Sequence, residues 1–135
     1  MKLDPKAVQA QEFVKNFIKL WGDKAPREIA ALCAFDAHML TVTGLWCEGR
    51  IEIEKALSSE MVGLFHQARI VLGRSHIRTL SSSAEVATQR LVVSGLVDAQ
   101  GQDLGRVGAI LTLVLSKSDE GHFQAVSVTF SPLSQ

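Results

Sequence analysis

The stretch 106–130, RVGAILTLVLSKSDEGHFQAVSVTF, decides the fold. It contains two runs rich in apolar and β-branched residues, 106–117 and 122–130, and the polar segment 118–121 separates them. Runs of this kind are typical of β-strands, and a short turn between two of them predicts an antiparallel hairpin. The rest of the chain can be interpreted outward from this hairpin.

Two further extended stretches, 69–80 and 86–96, precede the hairpin, and turn-forming residues at 81–83 and 98–102 separate them. Four consecutive strands joined by short turns predict an antiparallel meander. Apolar residues lie on both faces of these strands, as in 110–115. A sheet with one face in water would alternate polar and apolar residues. We therefore expect one face to cover the helices and the other to meet a second copy of the protein.

The first half of the chain has a helical period instead. Apolar residues recur at helical spacing over 8–21, and the patterns at 25–35 and 50–67 predict a second and a third helix. Between these two, the runs 38–43 and 46–48 flank a glycine and predict a short hairpin. The expected fold class is therefore α+β, with helices first and a curved antiparallel sheet afterwards.

The composition limits the kinds of protein that fit. A chain of 135 residues, with 47% hydrophobic and 21% charged residues, has the profile of one globular domain over 1–135. The formal net charge is zero, so we expect no nucleic-acid partner. Cys33 and Cys47 form no CxxC pair and are expected to be buried thiols. No HxH or HExxH pattern occurs, so neither a metal nor another cofactor is expected.

The distribution of apolar residues bears on location. No apolar stretch reaches the ~20 residues that a membrane span requires. The first residues, MKLDPKAVQAQEF, lack the apolar core and the cleavage site of a signal peptide. The sequence therefore predicts a cytoplasmic protein without a membrane partner.

The order of elements and several short motifs carry a resemblance to a known family. The motifs are AFDA at 34–37, Gly44 in the hairpin, GRI at 49–51, LTLVL at 111–115 and HFQAV at 122–126. Together they resemble the nuclear transport factor 2-like superfamily, and the local motifs are similar to its SnoaL-like and SgcJ/EcaC branch. The resemblance spans nearly the whole chain, and the order and spacing of the motifs carry it.

The resemblance implies a cone-shaped sheet wrapped around the three helices, a cystatin-like α+β roll, with a pocket at the open end. It also implies a homodimer through the sheet face. Members of the superfamily include ketosteroid isomerase, scytalone dehydratase, limonene epoxide hydrolase and polyketide cyclases, and others have no known catalytic activity. The implied function is binding of a small apolar ligand, with acid–base catalysis of the isomerase, cyclase or dehydratase type as an extension. The alternative is a noncatalytic dimerising binding or accessory module, so whether the protein is an enzyme stays open.

Asp36 and His38 are the candidate catalytic pair. If 36–43 is extended, side chains two residues apart point to the same side, and a carboxylate and an imidazole share one face of the pocket. A desolvated carboxylate suits a general base. In the alternative interpretation, Asp36 caps a turn after the second helix and His38 lies on the surface.

Five further residues are candidate ligand contacts. Trp46 and Phe35 offer flat apolar surface for a pocket wall, although Trp46 fits a core position equally well. His66 ends the third helix, where the mouth of the cone is expected. Arg90, a charge among apolar residues, fits an exposed edge, a dimer interface or an anionic substrate group. Thr129 aligns with a position at which the branch often has a pocket histidine.

The chain contains no tyrosine. The isomerase of the superfamily stabilises its dienolate with a tyrosine hydroxyl and a protonated acid, so that mechanism does not transfer. Three hypotheses therefore remain: an enzyme or binding protein for an apolar ligand, a noncatalytic binding protein, and an interaction module with a filled cone.

Overall fold

A computed structural model describes residues 5–133 of the chain, and the side chains of residues 8–133. The helices are α1 (Pro5–Gly22), α2 (Pro26–Ala31) and α3 (Arg50–Val62). The strands are β1 (Cys33–Leu40), β2 (Trp46–Glu48), β3 (Arg69–Ser81), β4 (Ala84–Ser94), β5 (Val107–Lys117) and β6 (Phe123–Pro132). Within the described residues, no helix has the length and apolar character needed to cross a membrane.

The meander predicted from the sequence is present. Strands β3, β4, β5 and β6 pair in chain order, each antiparallel to the next. Their bounds lie within two residues of the predicted ones, because the turn-forming segments between the apolar runs do end the strands. The expected α+β class, with a curved sheet after the helices, is confirmed.

The short hairpin joins this meander through a parallel pairing. The strand order in the sheet is β2-β1-β6-β5-β4-β3. Strand β1 is antiparallel to β2 but parallel to β6, so the first strand of the chain lies beside the last. Consequently the sheet is mixed, and β6 and β5 lie at its centre.

The second helix is shorter than its sequence pattern predicts. It ends at Ala31 rather than near residue 35. The carbonyl of Leu32 accepts a hydrogen bond of 3.0 Å from the backbone N–H of Ala125, and Cys33 pairs with Ala125 in the sheet. The prediction was wrong because pairing with β6 uses residues whose local pattern alone would permit another helical turn.

The helices pack on the inner face of the sheet, and large side chains fill the space between them. The Trp21 and Phe65 rings meet edge to face, with centroids 5.0 Å apart. The other largest fully buried side chains are Phe17, Phe130, Ile29, Met39, Ile53, Leu57, Leu91, Leu111, Leu113 and Leu115. Burying each such side chain contributes about 1.5–3 kcal/mol before conformational entropy is subtracted. The core is therefore shared between the helices and four of the strands.

Candidate functional site

The outer face of the sheet is the surface turned away from the helices. Along β4 and β5 the buried residues alternate with partly exposed ones, as the period of two requires. Paired positions across β1, β6, β5 and β4 then define this outer face as His38, Leu40, Ser127, Thr129, Ile110, Thr112, Val114, Val86, Thr88 and Arg90. The sequence-predicted site residues can be located relative to this surface.

His38 lies on the outer face and is held by two contacts. Its Nε2 atom is 2.8 Å from the hydroxyl oxygen of Ser127 on β6. Its ring also stacks on Trp46, with centroids 5.0 Å apart and planes tilted by 31°. Trp46 is 54% exposed, and its indole N–H donates a hydrogen bond of 3.1 Å to Glu48. An imidazole and an indole are therefore fixed side by side at the β2 edge of the outer face.

Asp36 does not join this arrangement. A register shift between Cys33 and His38 interrupts the pairing of β1 with β6, so Phe35 and Asp36 are both exposed. From Asp36 to Leu40 the burial alternates, with Ala37 and Met39 buried, so Asp36 and His38 lie on the same side of β1. Among the described residues, no hydrogen bond joins the Asp36 carboxylate to His38.

Thr129 lies on the outer face because its neighbours Val128 and Phe130 point into the core. It pairs with Leu40 of β1 and Thr112 of β5, and so lies in the row next to His38. The structure thus brings three predicted residues, His38, Trp46 and Thr129, into one region of the sheet surface.

Arg90 and His66 lie elsewhere. Arg90 is exposed on the outer face of β4, three strands from β1, which corresponds to about 14 Å at the usual strand spacing. His66 is exposed beyond the end of α3, where its Nδ1 atom is 2.9 Å from the carbonyl oxygen of Gly63. Neither residue contacts the His38–Trp46 pair.

A narrow cleft separates α1 from β3 and β4. Its volume is about 150 Å³. It is lined by Gln11, Val14, Lys15, Ser75, Ile77, Thr88 and Gln89. None of the predicted site residues lines this cleft, so the described structure does not gather them around the inner face of the sheet.

A buried polar cluster behind the β1–β2 turn was not predicted from the sequence. Glu60 of α3 is only 8% exposed, and it accepts a hydrogen bond from the Thr43 hydroxyl. The Thr43 and Thr41 hydroxyl oxygens are 3.2 Å apart, and Thr41 also accepts from the backbone N–H of Leu45. This chain of hydrogen bonds ties the turn to α3. The residues come from separate elements without a fixed spacing, so a sequence pattern could not reveal the cluster.

Both cysteines are free and buried, as the sequence predicts. Burial raises the pKa of the Cys33 thiol to about 11, and the nearby Arg50 only partly opposes this. Burial also raises the pKa of Cys47, with a smaller contribution from Glu52 and Glu60. A raised pKa keeps a thiol in its unreactive neutral form. The geometry therefore gives neither cysteine the character of a nucleophile.

Comparison with known proteins gives a likeness of fold. No family model matches the chain, and no curated protein does. Among solved structures, an NTF2-like protein with a cystatin-like fold from Novosphingobium aromaticivorans is similar, with 15% identity and a TM-score of 0.75, over 95% of this chain and 82% of that one. The expected cystatin-like architecture is thus supported, whereas the SnoaL-like and SgcJ/EcaC branch stays a prediction.

Two other similar structures have names that refer to function. One, from Xanthomonas campestris, is provisionally named a calcium/calmodulin dependent protein kinase II association domain; it has 20% identity and a TM-score of 0.81, over 98% of this chain and 91% of that one. The other, from Novosphingobium aromaticivorans, is provisionally named a scytalone dehydratase; it has 13% identity and a TM-score of 0.81, over 96% of this chain and 85% of that one. At such identities the likeness extends to the fold alone.

Proposed function

We propose that this protein is a self-associating module that forms a two-fold homodimer through the outer face of its sheet. The observation that carries the proposal is the chemistry at the centre of that face. Ser127 and Thr129 on β6 lie beside Val114 and Thr112 on β5, and all four are uncharged and half-buried. Small β-branched and hydroxyl side chains allow two sheets to pack face to face at about 10 Å.

The charges at the two sheet edges favour a second copy as the partner. Glu48 on β2 and Arg78 on β3 lie at opposite ends of the cross-strand row that contains His38, Ser127, Val114 and Val86. A two-fold axis parallel to the strands, between β6 and β5, brings the β2 edge of one copy toward the β3 edge of the other. A two-fold axis perpendicular to the strands would instead place Glu48 opposite Glu48 and Arg78 opposite Arg78 of the other copy. Electrostatic complementarity therefore favours the first arrangement.

The cleft on the inner face of the sheet is smaller than the usual pocket for a small apolar ligand, which favours self-association over ligand binding at that face. Ligand pockets are usually about 300–1,000 Å³. The cleft between α1 and the sheet has about 150 Å³, and aromatic side chains fill the neighbouring core. Binding of an apolar ligand and acid–base catalysis by Asp36 and His38 remain predictions from the sequence.

The fold is compatible with both association and catalysis, because one architecture hosts many functions. The two similar proteins named above illustrate this, since one name refers to association and the other to a dehydratase. The choice therefore depends on this chain's own surface, and its half-buried, uncharged central strip suits an interface.

The test is the mass of the protein in solution. We expect wild type to sediment at twice the chain's 14.7 kDa at micromolar concentration. Thr112→Arg, at the centre of the strip, should sediment as a monomer, because two buried guanidinium groups would face each other. Ser82→Arg adds the same side chain in the exposed β3–β4 turn and should remain a dimer.

Circular dichroism must first establish that both variants are folded. A wild-type monomer at these concentrations would overturn the proposal. A folded Thr112→Arg variant that stays dimeric would also overturn it, because the interface would then lie outside the outer face.

A further inference from the structure

A groove with basic walls lies at the β3 edge of the outer face. Its volume is about 560 Å³, within the range of about 300–1,000 Å³ that is usual for ligand sites. It is lined by Arg74, Ser75, His76, Thr88, Arg90 and Ile110. Only Arg90 was singled out from the sequence, so the groove is a new feature.

A β-bulge in β3 positions the side chains that line the groove. Leu72 pairs with Leu91 and Ser75 pairs with Gln89, so Gly73 and Arg74 together oppose the single residue between Leu91 and Gln89. Two residues opposite one is the arrangement that bends a strand and re-aims its side chains. Without the bulge, regular alternation from Leu72 would place Arg74 and His76 on the inner face, opposite to Arg90.

The side chain of Gln89 stabilises the bulge from the inner face of the sheet. Gln89 is 5% exposed, and its amide nitrogen donates to the carbonyls of Gly73 at 3.0 Å and Arg90 at 2.8 Å. An added Cβ atom at Gly73 would lie 3.5 Å from the Cβ and Cγ atoms of Arg90, an ordinary van der Waals distance, so the arginine stem lies directly beside the bulge. A buried amide that holds two carbonyls fixes the backbone beneath the two guanidinium groups.

The charges in the groove are of one sign. Arg74 and Arg90 contribute guanidinium groups, and His76 adds a ring that can donate hydrogen bonds. Among the described side chains, no carboxylate lines the groove and neither arginine forms an ion pair. Like charges gathered without a counter-ion repel one another, so an anion between them is favoured.

We propose that this groove binds the phosphate group of a small organic phosphate. The two guanidinium forks and His76 bind the phosphate oxygens, and Ile110 packs against the organic part. A dianionic phosphate matches this number of cationic donors better than a single carboxylate does. The groove lies on the same outer face as the proposed interface, on the side that the partner's β2 edge approaches, so phosphate binding and dimerisation are measured separately.

The test is a titration followed by backbone amide NMR shifts, with inorganic phosphate, phenyl phosphate and benzoate as probes. We expect saturable shifts at residues 73–76 and 88–90, with phenyl phosphate binding most tightly and benzoate most weakly. The double variant Arg74→Gln/Arg90→Gln should weaken phenyl phosphate binding at least tenfold. Arg69→Gln removes an exposed arginine from the same strand outside the groove and should change binding less than twofold.

Absence of saturable shifts in these segments, or equal weakening by Arg69→Gln, would overturn the phosphate site. Benzoate binding as tightly as phenyl phosphate would overturn the choice of phosphate. Sedimentation of the same double variant distinguishes the phosphate site from the dimer interface. If it loses dimerisation while wild type binds no phosphate, the arginines belong to the interface instead.

Discussion

Glu85 offers a test of how far this core tolerates an unpartnered polar group. It lies on the inner face of β4 and is 0% exposed, and among the described residues neither carboxylate oxygen has a hydrogen-bond partner. Mutational data put the cost of such a buried polar group at about 1–3 kcal/mol. Glu85→Met replaces the carboxylate with an apolar side chain of similar length. We therefore expect the free energy of unfolding to rise by about 1–3 kcal/mol.

The assay is urea unfolding followed by circular dichroism, together with thermal melting. At about 2.1 cal/mol/K per residue, a chain of this length gains about 3.5 °C in Tm for each kcal/mol, so a rise of about 3–10 °C is expected. Glu54→Met makes the same change on the exposed side of α3 and should alter stability by less than about 0.5 kcal/mol.

A decrease in the free energy of unfolding on Glu85→Met would refute this reasoning. If Glu85→Met lowers stability by more than about 1 kcal/mol while Glu54→Met does not, Glu85 has a polar partner that stabilises the fold. Glu85→Gln would then be the informative comparison, because it keeps the shape and most of the hydrogen-bonding capacity and would retain stability only if that partner needs no charge.

Two further predictions concern the backbone and the thiols. Gly95 has φ +74, and an added Cβ would lie 2.5 Å from the carbonyl oxygen of Gln67, whereas Gly101 has φ +80 with open space around it. Gly101→Ala should therefore cost about 1 kcal/mol and Gly95→Ala at least twice that, measured by urea unfolding; equal losses would contradict the steric argument. Because the pKa of Cys33 is raised from 9.0 to about 11, its neutral thiol stabilises the fold fully below pH 9.0, and this contribution is lost as pH rises through about 11. Wild type should lose more stability over that range than Cys33→Ala, and parallel losses in the two proteins would exclude a role for the thiol.

Local pattern was sufficient for most of the secondary structure. The runs that became β3 to β6 alternate or stay apolar over nearly their whole length, and polar turn segments separate them, so each strand is specified by its own residues. α1 is specified in the same way by one apolar stripe. Three elements were exceptions, because α2 ends at Ala31 and α3 at Val62, earlier than predicted, and β1 spans Cys33–Leu40 rather than 38–43. Pairing of Cys33 with Ala125, 92 positions further along the chain (the difference between 125 and 33), ends α2 and places Cys33 in β1.

The candidate site was less predictable. Sequence reasoning selected His38 and Trp46, but it could not show that Ser127 would contact His38, because that contact depends on the parallel pairing of β1 with β6. It selected Arg90 without Arg74 and His76, because a bulge two strands from the sheet centre brings these three together.

The sequence by itself determined the order of helices and strands and the burial of the thiols, because each follows from residues close together in the chain. Only the tertiary structure decided which face each side chain occupies, that Ser127 lies beside His38, and that the basic groove forms. These depend on strand register and bulges, where a shift of one residue moves a side chain to the opposite face of the sheet.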